Sequence, residues 1–175
     1  MAEQAPSSQR ANWITGLVVV AALLALPFVL GQMGRTGEYW IWVSTEMIIM
    51  ALFAMSLNLI LGYGGMVSFG HAAFFGVGAY TVALLRKRAG WPLYLALAAA
   101  PIVAAVVAAV IGWFCVRLLG LYFAILTLAF GQLLFMVVFQ WRDLTGGDDG
   151  LHGIPRPEFL GPVNYYLLCL VLFLI

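Results

Sequence analysis

From Trp13 to Trp141 the chain carries only seven charged residues, and all but Glu46 sit at or between the ends of long apolar stretches. A helix needs roughly 20 mostly apolar residues to cross about 30 Å of hydrocarbon. Five stretches meet that length: Trp13–Leu30, Tyr39–Leu61, Met66–Leu85, Leu93–Val116 and Leu121–Trp141. A sixth starts at Val163 and has 13 residues by Ile175, too few to cross. The expected fold is therefore an all-α integral membrane bundle of five spans plus the start of a sixth. It forms a single transmembrane domain over residues 1–175, which reads as a fragment or an early-terminated product.

Composition excludes the water-soluble alternative. The chain is 65% hydrophobic and 9% charged, with a mean hydropathy of +1.05, whereas soluble domains carry about 25% charged residues. A net charge of +1 gives no footprint for nucleic acid and no acidic tail. Cys115 and Cys169 each lie in an apolar run, which suits packing rather than a disulfide or a metal. The first span follows a short polar start with Glu3 and Arg10. It is longer than the roughly 7–15 residues of a signal-peptide core and lacks a clear small-residue cleavage site, so it is read as uncleaved.

The breaks are informative. Gly31–Gly37 is polar and glycine-rich, and Tyr39, Trp40 and Trp42 then mark a headgroup boundary. Gly62-Tyr63-Gly64-Gly65 interrupts the second span, Arg86-Lys87-Arg88 closes the third, and Pro92 is suited to a first helical turn. Arg142–Pro162, rich in Gly and Pro, is expected to be an ordered loop.

Inside lipid, helices associate through small residues that let backbones approach. Ala72, Gly76, Ala79 and Ala83 recur at offsets 0, 4, 7 and 11, as do Gly120, Ala124, Thr127 and Gly131. Ala96, Ala100, Ala104, Ala108 and Gly112 recur every four residues. Each set lies along one helix face, and three in succession predict a tightly packed bundle.

Few polar residues are placed to carry chemistry. Glu46 lies about 10 Å inside its aromatic boundary at 1.5 Å per residue; it either lines a pathway or bonds a neighbour, or it is reached by water near the interface. Asn58 is expected to bond a neighbouring helix or the Gly62–Gly65 turn. Gly62–Tyr80 packs six glycines, Ser68 and His71 into 19 residues, and broken helices of this kind form binding regions in transporters. His71 could titrate, bind substrate or satisfy a carbonyl. Gln132, mid-span beside a small-residue face, is expected to bond a neighbouring helix. No spacing suggests a metal site, a nucleotide loop or a catalytic triad.

Two blocks resemble a known family. Ser56-Leu57-Asn58-Leu59 with Gly62–Gly65 and Ser68-Phe69-Gly70-His71-Ala72-Ala73-Phe74-Phe75-Gly76-Val77-Gly78-Ala79-Tyr80 resembles the branched-chain amino acid permeases of bacterial ABC importers. Gly120-Leu121-Tyr122-Phe123-Ala124-Ile125-Leu126-Thr127-Leu128-Ala129-Phe130-Gly131, then Leu144-Thr145-Gly146-Gly147 and Gly150-Leu151-His152-Gly153-Ile154-Pro155, resembles the subunit type that pairs with a sister permease. The resemblance implies a heterodimeric channel in the bacterial inner membrane, two cytoplasmic ATPase subunits that hold ATP and Mg, and a periplasmic or extracellular binding protein delivering leucine, isoleucine or valine. No cofactor is implied in this chain. Two departures stand out: Gln132 occupies a position where such proteins often carry an acid, and the coupling segment that follows the sixth span in the family is not in the sequence.

The resemblance places the N-terminus inside. The positive-inside rule opposes this, since Arg10 and Arg117 would then face six outer basic residues: Arg35, Arg86, Lys87, Arg88, Arg142 and Arg156. The leading functional class is an ABC importer permease for branched-chain or related amino acids. The alternatives are a self-sufficient secondary transporter or channel, with Glu46 and His71 as proton-linked groups, and a non-transporting scaffold.

Overall fold

Apolar stretches of this length become helices because a helix satisfies every interior backbone N–H and C=O within its own segment. The computed structural model describes residues 6–154 and 161–174, with side chains from Thr15 onward, and among them there are helices and turns but no strand. Glu3, Pro155 and Arg156 lie outside the described residues, as does the side chain of Arg10. The elements are α1 (Pro6–Gly31), α2 (Arg35–Asn58), a π-helical turn (Leu59–Tyr63), α3 (His71–Lys87), α4 (Leu93–Cys115), α5 (Leu121–Gln140), α6 (Arg142–Thr145), a 3₁₀ turn (Gly147–Asp149) and α7 (Pro162–Leu174).

Three helices are long and apolar enough to cross a bilayer: α2 with its π turn (Arg35–Tyr63), α4 and α5. The described apolar part of α1 (Thr15–Gly31) and α7 are shorter. The expected third span, Met66–Leu85, is different: helix begins only at His71, and α3 has 17 residues ending in Arg86-Lys87. Glycine accounts for the late start, because Gly64, Gly65 and Gly70 flank a non-helical stretch and Gly65 has φ +63°. The glycine-rich break before α2 is also shorter than its sequence suggests. Helix resumes at Arg35, four residues before Tyr39, after a turn whose Gly34 has φ +64°.

The chain divides into two units. The first holds α1, α2 as far as Leu52, and α7. Its core is Ile41, Ile48, Tyr166, Cys169 and Leu170, with Leu23, Leu26 and Leu30 packed against it. Gly37 lets α2 begin against the last turn of α1, because a Cβ there would overlap the Leu30 carbonyl. The Tyr166 hydroxyl donates to the Leu23 carbonyl at 2.8 Å. Thr45, buried beside Ile41, returns its hydroxyl to the Ile41 carbonyl at 2.8 Å.

The second unit begins at Phe53 and holds the end of α2, the π turn and α3 to the 3₁₀ turn. α3 and α4 pack extensively and are joined by the short Arg88–Pro92 loop, the arrangement of antiparallel neighbours. Arg86 donates to the Trp91 carbonyl at 3.0 Å and fastens that loop. Ile111, Cys115 and Phe123 form the α4–α5 core, with Phe74 and Phe130 against it. Of the α4 seam, Ala96 and Ala100 are buried, while Ala104, Ala108 and Gly112 are half-buried, and a Cβ on Gly112 would meet nothing within 4 Å. Gly120 stands outside α5 as its N-cap with φ +58°, so that seam starts effectively at Ala124.

Candidate functional site

The polar and glycine-rich residues of the second unit meet where the chain turns from α2 into α3. Here α2 widens into the π turn, and the backbone N–H of Gly64 closes on the Leu59 carbonyl at 3.3 Å. The Met66 N–H then reaches the Ile60 carbonyl at 3.3 Å. Single π turns occur often at functional positions in helices. The side-chain oxygen of Asn58 lies over Gly62, where an added Cβ would be 3.2 Å from it. Asn58 itself is exposed, and Ser68 is half-buried in the non-helical stretch before α3.

This non-helical segment is held by α5. The Phe69 N–H donates to the Thr127 hydroxyl oxygen at 3.3 Å, and that hydroxyl donates to the Ala124 carbonyl at 2.8 Å. Gly70 abuts the Thr127 carbonyl so closely that a Cβ has no room. A Cβ on Gly131 would stand 3.2 Å from the Gly70 Cα. The Ala124–Thr127–Gly131 face of α5 is therefore the seat of the broken segment.

His71, the first residue of α3, faces back to α2. Its Nε2 lies 2.7 Å from the Ser56 hydroxyl oxygen, and that hydroxyl is 2.8 Å from the Phe53 carbonyl. A hydroxyl has one proton, so the geometry assigns it to the Phe53 carbonyl and makes Nε2–H the donor to Ser56. Nδ1 is then a bare acceptor, enclosed and without a partner. The Phe53 and Phe75 rings pack beside the imidazole and each other, Phe53 at 5.2 Å from His71 and 5.5 Å from Phe75. Sequence reasoning singled out His71 but treated Ser56 only as part of a motif. Ser56 lies 15 residues before His71, and nothing in a linear pattern pairs them across a helix break.

Between α3 and α5 the structure leaves a half-open cavity of about 410 Å³. Gly76 and Ala73 of α3 face Gly131 and Gln132 of α5 across it, and Phe69, Tyr80, Phe135 and Phe139 supply aromatic walls. A Cβ on Gly76 would touch nothing, so this glycine opens space rather than bringing two backbones together. Gly112 is likewise open, beside a shallow groove where Arg117 sits 5.0 Å over the Trp113 ring. The cavity is closed at one end by the turn after α5. There the Thr145 hydroxyl reaches the Val138 and Trp141 carbonyls at 2.5 and 2.8 Å and accepts the Gly147 N–H at 3.2 Å. Glu46 belongs to the first unit, exposed on α2, and is not part of this cluster. Among the described residues, no three His, Cys, Asp or Glu side chains converge as metal ligands.

A helical membrane protein with a glycine-broken segment seated on a neighbouring helix, beside a small apolar cavity, has the architecture of a solute permease. The chain belongs to the family described as branched-chain amino acid transport system / permease component, whose model matches residues 40–175. It is 31% identical over 149 residues to the high-affinity branched-chain amino acid transport system permease protein LivM of Salmonella typhimurium, covering 85% of this chain and 33% of that protein. It is 33% identical over 119 residues to LivM of Escherichia coli, covering 68% of this chain and 28% of the relative. The chain thus spans about a third of the length of these curated relatives. No solved structure matches it.

Proposed function

We propose that the chain is part of the membrane-spanning subunit of an ATP-driven ABC importer that moves branched-chain or related small amino acids across a bacterial inner membrane. The observation that carries this reading is the family match across residues 40–175, which includes both glycine-aromatic blocks. The family is described as a permease component of a transport system, and a component implies partners. The partners in this reading are a sister permease, two cytoplasmic ATPase subunits that bind ATP and Mg, and an external substrate-binding protein. In this reading hydrolysis falls to those separate subunits.

The test is purification of the tagged full-length protein expressed from its native locus, followed by reconstitution. An ATPase and a second permease are expected to co-purify. Leucine uptake into proteoliposomes is expected to require ATP and to persist when a protonophore collapses any proton gradient. Uptake by the purified chain alone, driven by a proton gradient without ATP, would sink the importer reading in favour of a secondary transporter.

A further inference from the structure

The end of the second unit at which α3 stops gathers much of the chain's positive charge. Arg86, Lys87, Arg88 and Arg142 are four of its eight Lys and Arg residues. The first three close α3, and the fold brings the fourth to them from beyond α4 and α5. There α6 packs on α3, and the Arg88 guanidinium donates to the Leu144 carbonyl at 3.4 Å. The stem of Arg142 lies against Gly147 on the same turn, where an added Cβ would be 2.8 Å from its Cγ. Positive charge complementing a helix C-terminus accounts for Arg86 and Lys87. It gives no reason for Arg142, which a separate element supplies. Lys87, Arg88 and Arg142 are exposed, and among the described residues none of them forms an ion pair, although the exposed Asp143, Asp148 and Asp149 stand on the adjoining turns.

Two aromatic residues set the depth of this cluster. Trp91, whose carbonyl accepts from Arg86 at 3.0 Å, leads into α4, and Trp141 directly precedes Arg142. Both rings are exposed, and exposed indoles at the ends of apolar spans settle at headgroup level. The cations therefore stand at the level of the lipid phosphates. We propose that Lys87, Arg88 and Arg142 form a docking site for the phosphate of an anionic phospholipid. A guanidinium fork matches phosphate geometry and bonds it in pairs, and the Lys87 ammonium adds a point charge beside it. Four cations less three carboxylates leave a local sum of only +1, so the site acts by direct contact with phosphate rather than through a diffuse field. An acidic soluble protein would have to reach down to the indole level, where a lipid phosphate already lies. The site is independent of which solute the protein carries.

The test counts lipids bound to the full-length protein in neutral detergent by native mass spectrometry, with dioleoyl phosphatidylglycerol and dioleoyl phosphatidylcholine added in turn. The wild type is expected to bind phosphatidylglycerol more than about tenfold more tightly, since each cation near a membrane surface contributes about fivefold. Lys87→Gln removes a side chain that makes no hydrogen bond among the described residues, and it is expected to weaken phosphatidylglycerol about fivefold. The triple variant Lys87→Gln/Arg88→Gln/Arg142→Gln is expected to lose the preference, with phosphatidylcholine binding unchanged. Arg35→Gln/Arg117→Gln removes two cations from other places and is expected to keep it. A wild type without preference, a triple variant that retains it, or a control pair that loses as much overturns the site. Displacement of phosphatidylglycerol by millimolar inorganic phosphate overturns it in favour of a free-anion site. Capture of the substrate-binding protein in phosphatidylcholine nanodiscs that depends on the three residues, without a phosphatidylglycerol preference, overturns it in favour of a protein partner. Each of these leaves the permease reading intact.

Discussion

The imidazole of His71 has one nitrogen engaged by Ser56 and the other enclosed without a partner, between rings of Phe53 and Phe75. Such a pair is held in place mainly by the cost of breaking it. Removing one partner strands the other, whereas replacing both with apolar groups of similar shape is close to neutral. Side-chain hydrogen bonds between membrane helices are worth about 0.6 kcal/mol on average, and a stranded buried donor costs about 1–3 kcal/mol in soluble proteins. Ser56→Ala is therefore expected to destabilise the detergent-solubilised protein by about 1 kcal/mol. His71→Phe in that background is expected to recover most of the loss, because the new ring packs against Phe53 and Phe75 and has no N–H to satisfy. A double-mutant cycle read from thermal unfolding checks this. Strict additivity of the two substitutions would mean that Ser56 and His71 are neighbours without being coupled.

At the scale of elements, the contact between α1 and α7 turns on one missing proton. Pro27 lies inside α1 and has no N–H, so the Leu23 carbonyl four residues earlier loses its helical partner. The Tyr166 hydroxyl of α7 donates to that same carbonyl at 2.8 Å. Tyr166→Phe should cost about 1–3 kcal/mol by leaving a carbonyl unpaired in an apolar setting. Adding Pro27→Ala should return much of that, since the alanine supplies the backbone N–H that closes the helix. Failure of the second substitution to rescue the first, in the same unfolding assay, would refute the account. This pairing shows what was legible in the sequence and what was not. The lengths of α4 and α5 followed from apolar run length alone, and the break near Gly62 followed from glycine spacing. The late start of α3 at His71 did not, because Met66–Gly70 is apolar enough to pass for helix; its departure is set by Gly65 and by the fit of Gly70 against Thr127. At the candidate site, Gly131 was legible as a close-approach residue, whereas Gly76 carries the same small-residue spacing and opens a cavity instead. Spacing identifies a shared face, but it does not say whether a neighbour lies against it.

Across the whole chain, what the helices leave uncovered matters as much as what they bury. Only 17% of the most apolar window of α4, and 17% of that of α5, is buried by the rest of the chain. Leu121, Tyr122, Trp113 and Leu119 are all more than two-thirds exposed. In water such surfaces would associate without specificity, since monomeric soluble proteins rarely expose apolar patches larger than a few hundred Å². In hydrocarbon the same surface costs nothing, and the backbone beneath it is already satisfied by helix. The aromatic residues at the ends of these helices, Trp91 before α4 and Trp141 after α5, have the amphipathic rings that settle at headgroup level. The expected behaviour is that of an integral protein rather than a peripheral one. After alkaline carbonate extraction the full-length protein should stay wholly with the membrane pellet. It should leave that pellet only with detergent, and it should precipitate when detergent is removed without added lipid. Peripheral attachment through the charged loops predicts release by carbonate, which discharges lysines and dissociates partner proteins but leaves buried helices in place. Recovery of the protein in the carbonate supernatant, as a monodisperse species without detergent, would mean that the exposed faces of α4 and α5 meet one another or a soluble partner instead of lipid.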